Sequence, residues 1–227
     1  MKKRPVQPAT SNNQQPWNHA EPIPAGIGNP LAPGLRLTVG VMGSASGPIS
    51  ARATNLAREL GRAIAANGCV TITGACPGLP LAAAQGACQE GGLVVGISPG
   101  LSLDEHREKF NSPIDSHDVL IFTGSGLMGR EVVNIRSSDM VAILGGRSCT
   151  LGELAIAYDE GKLIGVLTDT GGISNMVSNI LEACKKNTGA RVLYDDDPRR
   201  LVDRMVKTYR SQHYKKPSIF GSQRQNS

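Results

Sequence analysis

The chain has 227 residues, of which 40% are hydrophobic, and this is enough for one large or two small domains with a buried core. The formal net charge is +5, but residues 199–227 carry +7 and residues 1–33 carry +2, which leaves −4 on residues 34–198. Because the body of the chain is mildly acidic, the composition argues against nucleic acid as the partner.

The cysteines and the lengths of the apolar runs indicate the compartment. There are five cysteines, an odd number without CxxC spacing, so we expect neither a disulfide framework nor a metal site. The basic start of the chain is not followed by an apolar signal region, and no apolar run approaches the length of a membrane span. We therefore expect a cytoplasmic protein without membrane contact.

The two ends differ in composition from the rest of the chain. Residues 1–33 are rich in Gln, Asn, Pro and Gly, and such a segment cannot bury enough apolar surface to offset its ordering entropy. We expect a disordered N-terminal arm over residues 1–33 and a flexible C-terminal tail over residues 215–227. Residues 34–214 are then one folded domain.

Seven apolar runs of strand length recur in this domain. Their hydrophobicity is continuous rather than alternating, so we expect each run to form a strand that is covered on both faces. The runs are residues 35–42, 69–73, 93–98, 119–123, 140–144, 163–168 and, more weakly, 190–194.

Helix-length segments separate most of these runs. They are residues 49–67, 79–90, 127–137, 151–160 and 173–186, followed by residues 197–213 with one apolar stripe and a basic, solvated face. The alternation predicts an α/β fold, a three-layer, Rossmann-like doubly wound parallel sheet of about seven strands with helices on both faces. Residues 99–117 are too long and polar for an ordinary connection, and they form either a binding loop or an irregular surface excursion.

Glycine-rich turns follow three of the predicted strands, at residues 43–47, 74–78 and 145–150. Ligands of doubly wound sheets bind at the carboxyl ends of the strands, where a turn before a helix offers N–H groups to an anion. We therefore expect a phosphate-bearing ligand. No turn matches GxGxxG, which argues against a dinucleotide oxidoreductase. The candidate ligand-binding residues are Gly43, Ser44, Gly74, Gly78, Gly145, Gly146, Arg147, Ser148 and Thr150.

The segment from Cys149 to Glu153 permits two interpretations. In a capping box, the Thr150 hydroxyl accepts the Glu153 N–H and the carboxylate returns to the Thr150 amide. In a functional site, Glu153 faces the pocket and accepts ribose hydroxyls, or stabilises an oxocarbenium ion while an N-glycosidic bond breaks. Cys149 is either a small buried filler or, beside a helix N-terminus, a reactive thiol with a lowered pKa.

Two arginines on one predicted helix are candidates for holding the ligand. Arg130 shares a helix face with Asn134 at i, i+4 spacing and is the better candidate for a phosphate clamp. The alternative for Arg130 is a surface residue paired with Glu131 or Asp139. Arg136 is offset from Asn134 by two positions, so the two arginines are expected to point in different directions.

Three longer stretches carry a family resemblance: TGACPGLPLAAAQGACQEGGLVVGISP, GREVVNIRSSD and GGRSCTLGELAIAYDEGK, which begin at residues 73, 129 and 145. Together they resemble the LOG (Lonely Guy, lysine decarboxylase-like) family and its wider superfamily, especially the uncharacterised and molybdenum cofactor carrier-like branch. The resemblance covers about residues 35–193. It implies that residues 34–214 form a Rossmann-like nucleotide-binding domain, commonly in a homodimer or higher homo-oligomer.

The same resemblance suggests an activity and its residues. LOG enzymes are nucleoside 5'-monophosphate phosphoribohydrolases of the cytokinin-activating type, which use an arginine and the glutamate of a PGGxGTxxE motif. Here Thr150 and Glu153 keep the motif, whereas Gly145, Arg147 and Cys149 replace its proline and two glycines.

The catalytic candidates that follow are Glu153, Arg136, which matches the family's arginine by local context, and Arg130, which residue spacing favours. The departures from the motif favour a binding or carrier protein over the hydrolase, with a nucleotide or a molybdopterin-type cofactor as ligand.

Overall fold

The computed structural model describes residues 35–213, and the arm and the tail expected from the sequence lie outside these residues. Seven strands form one parallel sheet in the order β4-β3-β2-β1-β5-β6-β7. The strands are β1 (Thr38–Gly43), β2 (Val70–Thr73), β3 (Val94–Ser98), β4 (Val119–Phe122), β5 (Met140–Leu144), β6 (Leu163–Leu167) and β7 (Arg191–Asp195).

The helices pack in two layers, one on each face of the sheet. They are α1 (Ala51–Ala66), α2 (Leu79–Gln89), α3 (Gly126–Arg136), α4 (Ser148–Asp159), α5 (Val177–Cys184) and α6 (Pro198–Thr208). One core joins α1, α2 and α6 to the sheet, and a second core joins α3, α4 and α5 to the opposite face. The three-layer, Rossmann-like α/β fold expected from the sequence is confirmed.

Helices α1 and α2 approach each other at the level of their backbones. A Cβ atom on Gly61 would lie 1.9 Å from the Ala83 carbonyl oxygen, and one on Gly86 would lie 1.9 Å from the Arg58 carbonyl oxygen. Only glycine therefore fits at these two crossing points. The contact fixes the position of α2, whose first turn follows the second glycine turn.

The expectation that every strand is covered on both faces is wrong for β4. Val119 and Ile121 of this strand are 47% and 45% exposed. The reason is topological, since β4 is the edge of the sheet and no further strand flanks it in the described part of the chain. Strand β7, at the opposite edge, is also only partly buried.

The expectation of one continuous helix over residues 173–186 is wrong in its first turn. Residues Gly172–Met176 form a 3-10 helix, and α5 begins only at Val177. The 3-10 turn is pulled towards the turn after β5, because the amides of Ile173 and Ser174 donate to the carbonyls of Gly146 and Gly145. These bonds hold residues 145–146 from behind.

The stripe predicted for the last helix is confirmed in α6, where Leu201, Val202, Met205 and Val206 are buried. Two of its basic residues neutralise an acid of the same domain: Arg200 and Arg204 donate to the carboxylate of Asp195. These hydrogen bonds hold the pKa of Asp195 well below its usual range. No helix in residues 35–213 is long and apolar enough to cross a bilayer.

Candidate ligand cavity

A cavity of about 280 Å³ opens at the carboxyl ends of β1, β2 and β5. The three glycine turns at residues 43–47, 74–78 and 145–150, here called the cradle turns, supply most of its walls. Helices α3 and α4 close it from the other side. The predicted ligand-binding residues that line it are Gly43, Ser44, Gly74, Arg147, Ser148 and Thr150, together with Arg130 and Glu153 from the catalytic candidates.

Ser44 ties the cradle turns together. Its hydroxyl accepts the Gly146 N–H at 2.7 Å, and its carbonyl accepts the Leu79 N–H at 2.9 Å. A Cβ on Gly78 would lie 2.2 Å from the same carbonyl oxygen, and φ of Gly78 is +79°. Gly78 therefore shapes the junction without lining the cavity, and this set of contacts is called the Ser44 junction below.

The predicted anion-binding amides of Gly145 and Gly146 are already used inside the protein. The Gly145 N–H donates to the Thr170 hydroxyl at 2.9 Å, and the Gly146 N–H donates to Ser44. Neither glycine lines the cavity. The anion-binding capacity of this turn lies instead in the first turn of α4, whose N-cap residue Arg147 makes no side-chain capping bond.

Arg147 lies at the mouth of the cavity. Its side chain is exposed, and its guanidinium donates to the hydroxyl of Ser46 in the first cradle turn. The mouth therefore carries a positive charge that bridges two cradle turns beside the positive end of the α4 dipole. Anions are favoured there on both grounds.

Arg130 lies on the floor of the cavity and is only 6% exposed. One guanidinium nitrogen, Nη1, donates to the Gly74 carbonyl, while Nε has no partner among the described residues. A Cβ on Gly74 would lie 1.7 Å from Nη1, so the second cradle turn leaves room for the guanidinium only because residue 74 is glycine. The alternative of a surface arginine is wrong.

Glu153 faces Arg130 on the same floor and is 6% exposed. Burial raises the pKa of its carboxyl to about 7; the negative charge of Glu131 also raises it, while Arg130 and the amide of Asn134 lower it. Glu153 therefore exchanges a proton near neutral pH. It acts as a hydrogen-bond donor when protonated and as an acceptor when ionised.

The capping-box interpretation of this segment is wrong. Helix α4 begins at Ser148, two residues before Thr150, and Arg147 is its N-cap. Thr150 and Glu153 are therefore both inside the helix, and both are buried residues that line the cavity. A helix that starts earlier turns Glu153 towards the ligand space instead of back to the Thr150 amide.

Both interpretations of Cys149 are corrected by its surroundings. The residue is exposed, so it is not a buried filler. Its pKa is raised, first by desolvation and then by the negative charge of Glu131, to which the thiol donates a hydrogen bond. The positive φ values of the turn fall on Gly145 and Gly146, so Cys149 adopts a helical conformation without strain.

The structure does not bring Arg136 to the cavity. Its guanidinium is exposed and pairs with the carboxylate of Glu160 at 2.7 Å. Arg130 points inwards and Arg136 outwards, which is the divergence that the helical spacing predicts. Of the two arginines, only Arg130 lies beside Glu153.

A group of floor residues was not evident from the sequence. Glu131 and Asn134 are fully buried beside Arg130, and Glu131 Oε1 and Asn134 Oδ1 have no hydrogen-bond partner in the described part of the chain. Neither residue lines the cavity itself. Together with Arg130 and Glu153, which do line it, they are called the floor cluster. The signal for them was weak, because a charged residue at position 131 is also typical of a solvated helix face.

Comparison with known proteins places this cavity in a family. The model of the SLOG cluster4 family matches residues 36–202, which include all three cradle turns and the floor cluster. The chain belongs to this family. The SLOG cluster4 chain is also 35% identical over 131 residues to an uncharacterised protein of Archaeoglobus fulgidus, covering 58% of this chain and 80% of the relative.

Two solved structures resemble this SLOG cluster4 protein over most of their length. One is the molybdenum cofactor binding protein of Rippkaea orientalis, with 28% identity, a TM-score of 0.62 and coverage of 77% of this chain and 97% of that one. The other is the Moco carrier protein of Chlamydomonas reinhardtii, with 26% identity, a TM-score of 0.62 and coverage of 77% and 98%. The resemblance to the LOG superfamily and its carrier-like branch is confirmed.

Proposed function

We propose that the protein is a cytoplasmic carrier that binds a phosphorylated nucleotide or nucleotide-like molecule in the cavity. The observation that carries the proposal is the pairing of two unlike ends in one enclosed space. An uncapped helix terminus and Arg147 form a cationic mouth, while the floor offers the buried Arg130, whose Nε has no partner among the described residues, and the buried carboxyl of Glu153. A ligand with a phosphate at one end and a polar ring or ribose at the other satisfies both ends.

The mouth suits a phosphate group. The first turn of α4 provides N–H groups with no intrahelical acceptor, and the hydroxyls of Ser148 and Thr150 lie in the same turn. Arg147 adds a full positive charge. Charge-assisted hydrogen bonds of this kind are about twice as strong as neutral ones.

The floor suits the hydrogen-bonding edge of a heterocycle or ribose. Arg130 Nε is a donor without a partner among residues 35–213, and Glu153 serves as donor or acceptor at neutral pH. The volume of about 280 Å³ lies just below the ~300–1,000 Å³ range for ligand pockets. A mononucleotide-sized ligand is therefore favoured over a dinucleotide.

The solved relatives supply one specific candidate, since both are described as molybdenum cofactor binding or carrier proteins. The residues here fit a molybdopterin-type group: the α4 turn and Arg147 would hold its phosphate, and Arg130 and Glu153 would meet its heterocycle. When bound, such a cofactor supplies the metal chemistry. The protein would contribute binding, orientation and exclusion of water.

Native mass spectrometry of freshly purified protein tests the proposal most directly, because a co-purifying ligand appears as added mass. In parallel, calorimetry compares AMP with adenosine. We expect AMP to bind at least about tenfold more tightly through the mouth, and Arg147→Ala to remove most of that preference. Arg136→Ala, which changes an exposed arginine outside the cavity, is the matched control. Equal affinity for AMP and adenosine would contradict the proposed binding of phosphate at the mouth.

The buried carboxyl supports a second candidate, the nucleoside 5'-monophosphate phosphoribohydrolase. Ionised Glu153 would stabilise the oxocarbenium ion that develops as the N-glycosidic bond breaks, with Arg130 orienting the substrate. Release of free base from a panel of nucleoside monophosphates is expected to rise with pH through about 7, as Glu153 ionises. Glu153→Gln should abolish release, whereas Arg136→Ala should not. If the nucleotide binds but stays intact, the hydrolase is excluded and only the carrier function remains.

We also propose that the chain forms a homodimer or higher homo-oligomer through the sheet edge. Of the fourteen large apolar side chains that are exposed in residues 35–213, nine lie between residues 101 and 133, on β4, the start of α3 and the preceding loop. Patches of this kind mark protein interfaces. Light scattering should give at least twice the 23.9 kDa chain mass, and the double variant Phe122→Glu, Met128→Glu should give the monomer mass.

A further inference from the structure

Two histidines fasten the excursion over residues 99–117 to the carboxyl ends of the sheet. His106 Nδ1 lies 2.9 Å from the hydroxyl of Ser98, the last residue of β3. His117 Nε2 lies 3.1 Å from the hydroxyl of Thr73, the last residue of β2. Each imidazole therefore contacts the last residue of a strand. The residues after β2 form the second cradle turn, and those after β3 begin the excursion.

The second ring nitrogen assigns the tautomer of each histidine. His117 Nδ1 faces the Asp115 carbonyl at 2.9 Å, and His106 Nε2 faces the Pro113 carbonyl at 3.0 Å. Because a carbonyl only accepts, these nitrogens carry the protons. The other nitrogen of each ring is then a bare acceptor, to which the Thr73 or the Ser98 hydroxyl donates.

The Thr73 hydroxyl connects His117 to a cradle turn. While it donates to His117, its oxygen accepts the Ala75 N–H at 3.0 Å. Ala75 is buried and has φ of +48°, a left-handed conformation that a non-glycine residue keeps only when its surroundings impose it. The neighbouring Gly74 carbonyl accepts Arg130 of the floor cluster. The contact with His117 thus positions the cradle turn and, through it, the floor.

This arrangement requires neutral His117. A protonated ring would present an N–H to the Thr73 hydroxyl, which would have to turn its own proton away, and its only other neighbour in the described residues is the Ala75 N–H donor. The charged groups around the ring oppose each other: Asp118 favours protonation and His106 disfavours it. Packed against the same loop, α2 contributes the Cys88 thiol, which donates to the Ser116 carbonyl. Burial is the largest influence and lowers the pKa of His117.

We propose that the His117–Thr73 contact is a pH-sensitive latch, which fastens the excursion to the second cradle turn when His117 is neutral and releases both when it is protonated. The sign follows from burial, since a histidine whose folded-state pKa lies below its usual 6.5 stabilises the latched state above that pH and loses this effect as pH falls. The consequence for ligand binding rests on the function proposed above. Ligand affinity is then expected to fall in mild acid.

Hydrogen–deuterium exchange of the ligand-free, full-length chain tests the latch without any ligand. Protection factors, corrected for the intrinsic exchange rate, are compared at pH 7.5 and 5.5. We expect the amide of Ala75 and those of residues 99–117 to lose protection at pH 5.5, by up to about tenfold, which is the limit set by one histidine with an ordinary pKa of 6.5. Thr73→Val, which keeps the side-chain shape but removes the hydroxyl, should show the low protection at both pH values.

Thr71→Val is the matched control, because Thr71 lies on the same strand, is equally buried and has a hydroxyl without a partner. It should behave like the wild type. Protection in the wild type that is flat between the two pH values, or a Thr73→Val protein that matches Thr71→Val, would overturn the latch. An NMR titration of the His117 ring identifies the proton and does not depend on any variant folding.

A binding experiment with AMP as the probe tests whether the latch affects the cavity. The dissociation constant of Thr73→Val divided by that of the wild type should exceed 1 at pH 7.5 and approach 1 at pH 5.5, because the wild type has then released its own latch. Glu153, which also titrates in this range, is common to both proteins and cancels in the ratio. If AMP binds neither protein while the exchange data are as expected, the latch stands and the proposed function fails.

Discussion

The Ser44 junction and the floor cluster each contribute residues to the cavity, Ser44 from the first and Arg130 and Glu153 from the second, but they use their polar groups in opposite ways. At the junction the N–H groups of Gly146 and Leu79 are bound by Ser44. In the floor cluster, Arg130 Nε, Glu131 Oε1 and Asn134 Oδ1 are buried without a partner among the described residues. Leaving such a group unpaired costs about 1–3 kcal/mol. The first region is therefore a scaffold that is satisfied within the protein, whereas in the second Arg130, which lines the cavity, retains a donor for a ligand.

Substitution in the scaffold should have the largest effect on stability. Gly78→Ala places a Cβ 2.2 Å from the Ser44 carbonyl at a residue with φ of +79°. We expect a loss of about 3–5 kcal/mol in the free energy of unfolding, from steric overlap together with left-handed strain. Gly91→Ala is the control, since φ there is +72° but nothing lies within 4 Å, and it should cost only about 1 kcal/mol. Equal losses would mean that the junction is not rigid.

Substitution in the floor should change the pH dependence of stability more than stability itself. The pKa of Glu153 is raised from 4.5 to about 7, so the unfolded chain releases this proton first and stability falls as pH rises from 4.5 to 7. The expected fall is on the order of 3 kcal/mol. Chemical denaturation from pH 4.5 to 8 should show this slope in the wild type and lack it in Glu153→Gln. Parallel curves for the two proteins would contradict the burial of the charge.

A smaller effect is expected from the hydroxyl that ties the cradle turns. Ser44→Ala leaves the Gly146 N–H without its acceptor, and we expect a loss of about 1–2 kcal/mol in urea denaturation. Ser46→Ala, in the same turn but exposed, should change stability by less than about 0.5 kcal/mol. A loss at Ser46 as large as that at Ser44 would place the scaffold at the mouth instead.

The smallest effect is expected for a buried hydroxyl that lacks a hydrogen-bond partner but lies away from the cavity. Thr71 Oγ1 is buried and has no hydrogen-bond partner within residues 35–213, but Thr71 does not line the cavity. Thr71→Val removes an unpaired hydroxyl at nearly constant shape, so stability should stay the same or rise by about 1 kcal/mol, with AMP binding unchanged. Weaker AMP binding in this variant would contradict the cavity as described, because it would mean that the ligand site extends to Thr71.

The sequence predicted the layers and most elements because their signals are local. Continuous apolar runs predicted all seven strands, and the stripe of α6 was visible in its spacing. The exposure of β4 was not predictable from its residues, since an edge strand and a central strand can share the same composition. Its position depends on the order of strands in the sheet, which no local pattern contains.

The candidate site divides in the same way. Glu153, Arg130 and the cradle turns were predicted from spacing and glycine content, and they lie together. Glu131 was missed as a floor residue because its burial results from the packing of α3 against α4. The state of Cys149 was predicted wrongly for the same reason, since the Glu131 carboxylate that accepts the hydrogen bond of its thiol lies on α3, a different helix.

The contact of α1 with α2 has a consequence for how the cavity can vary among related chains. A Cβ on Gly61 or Gly86 would lie 1.9 Å from a carbonyl oxygen of the facing helix, so the position of α2 depends on two residues that do not line the cavity. A single added methyl group at either glycine would push α2 away from α1 and move the Leu79 N–H away from the Ser44 carbonyl. Ligand preference in this architecture can therefore be retuned by residues that never touch the ligand.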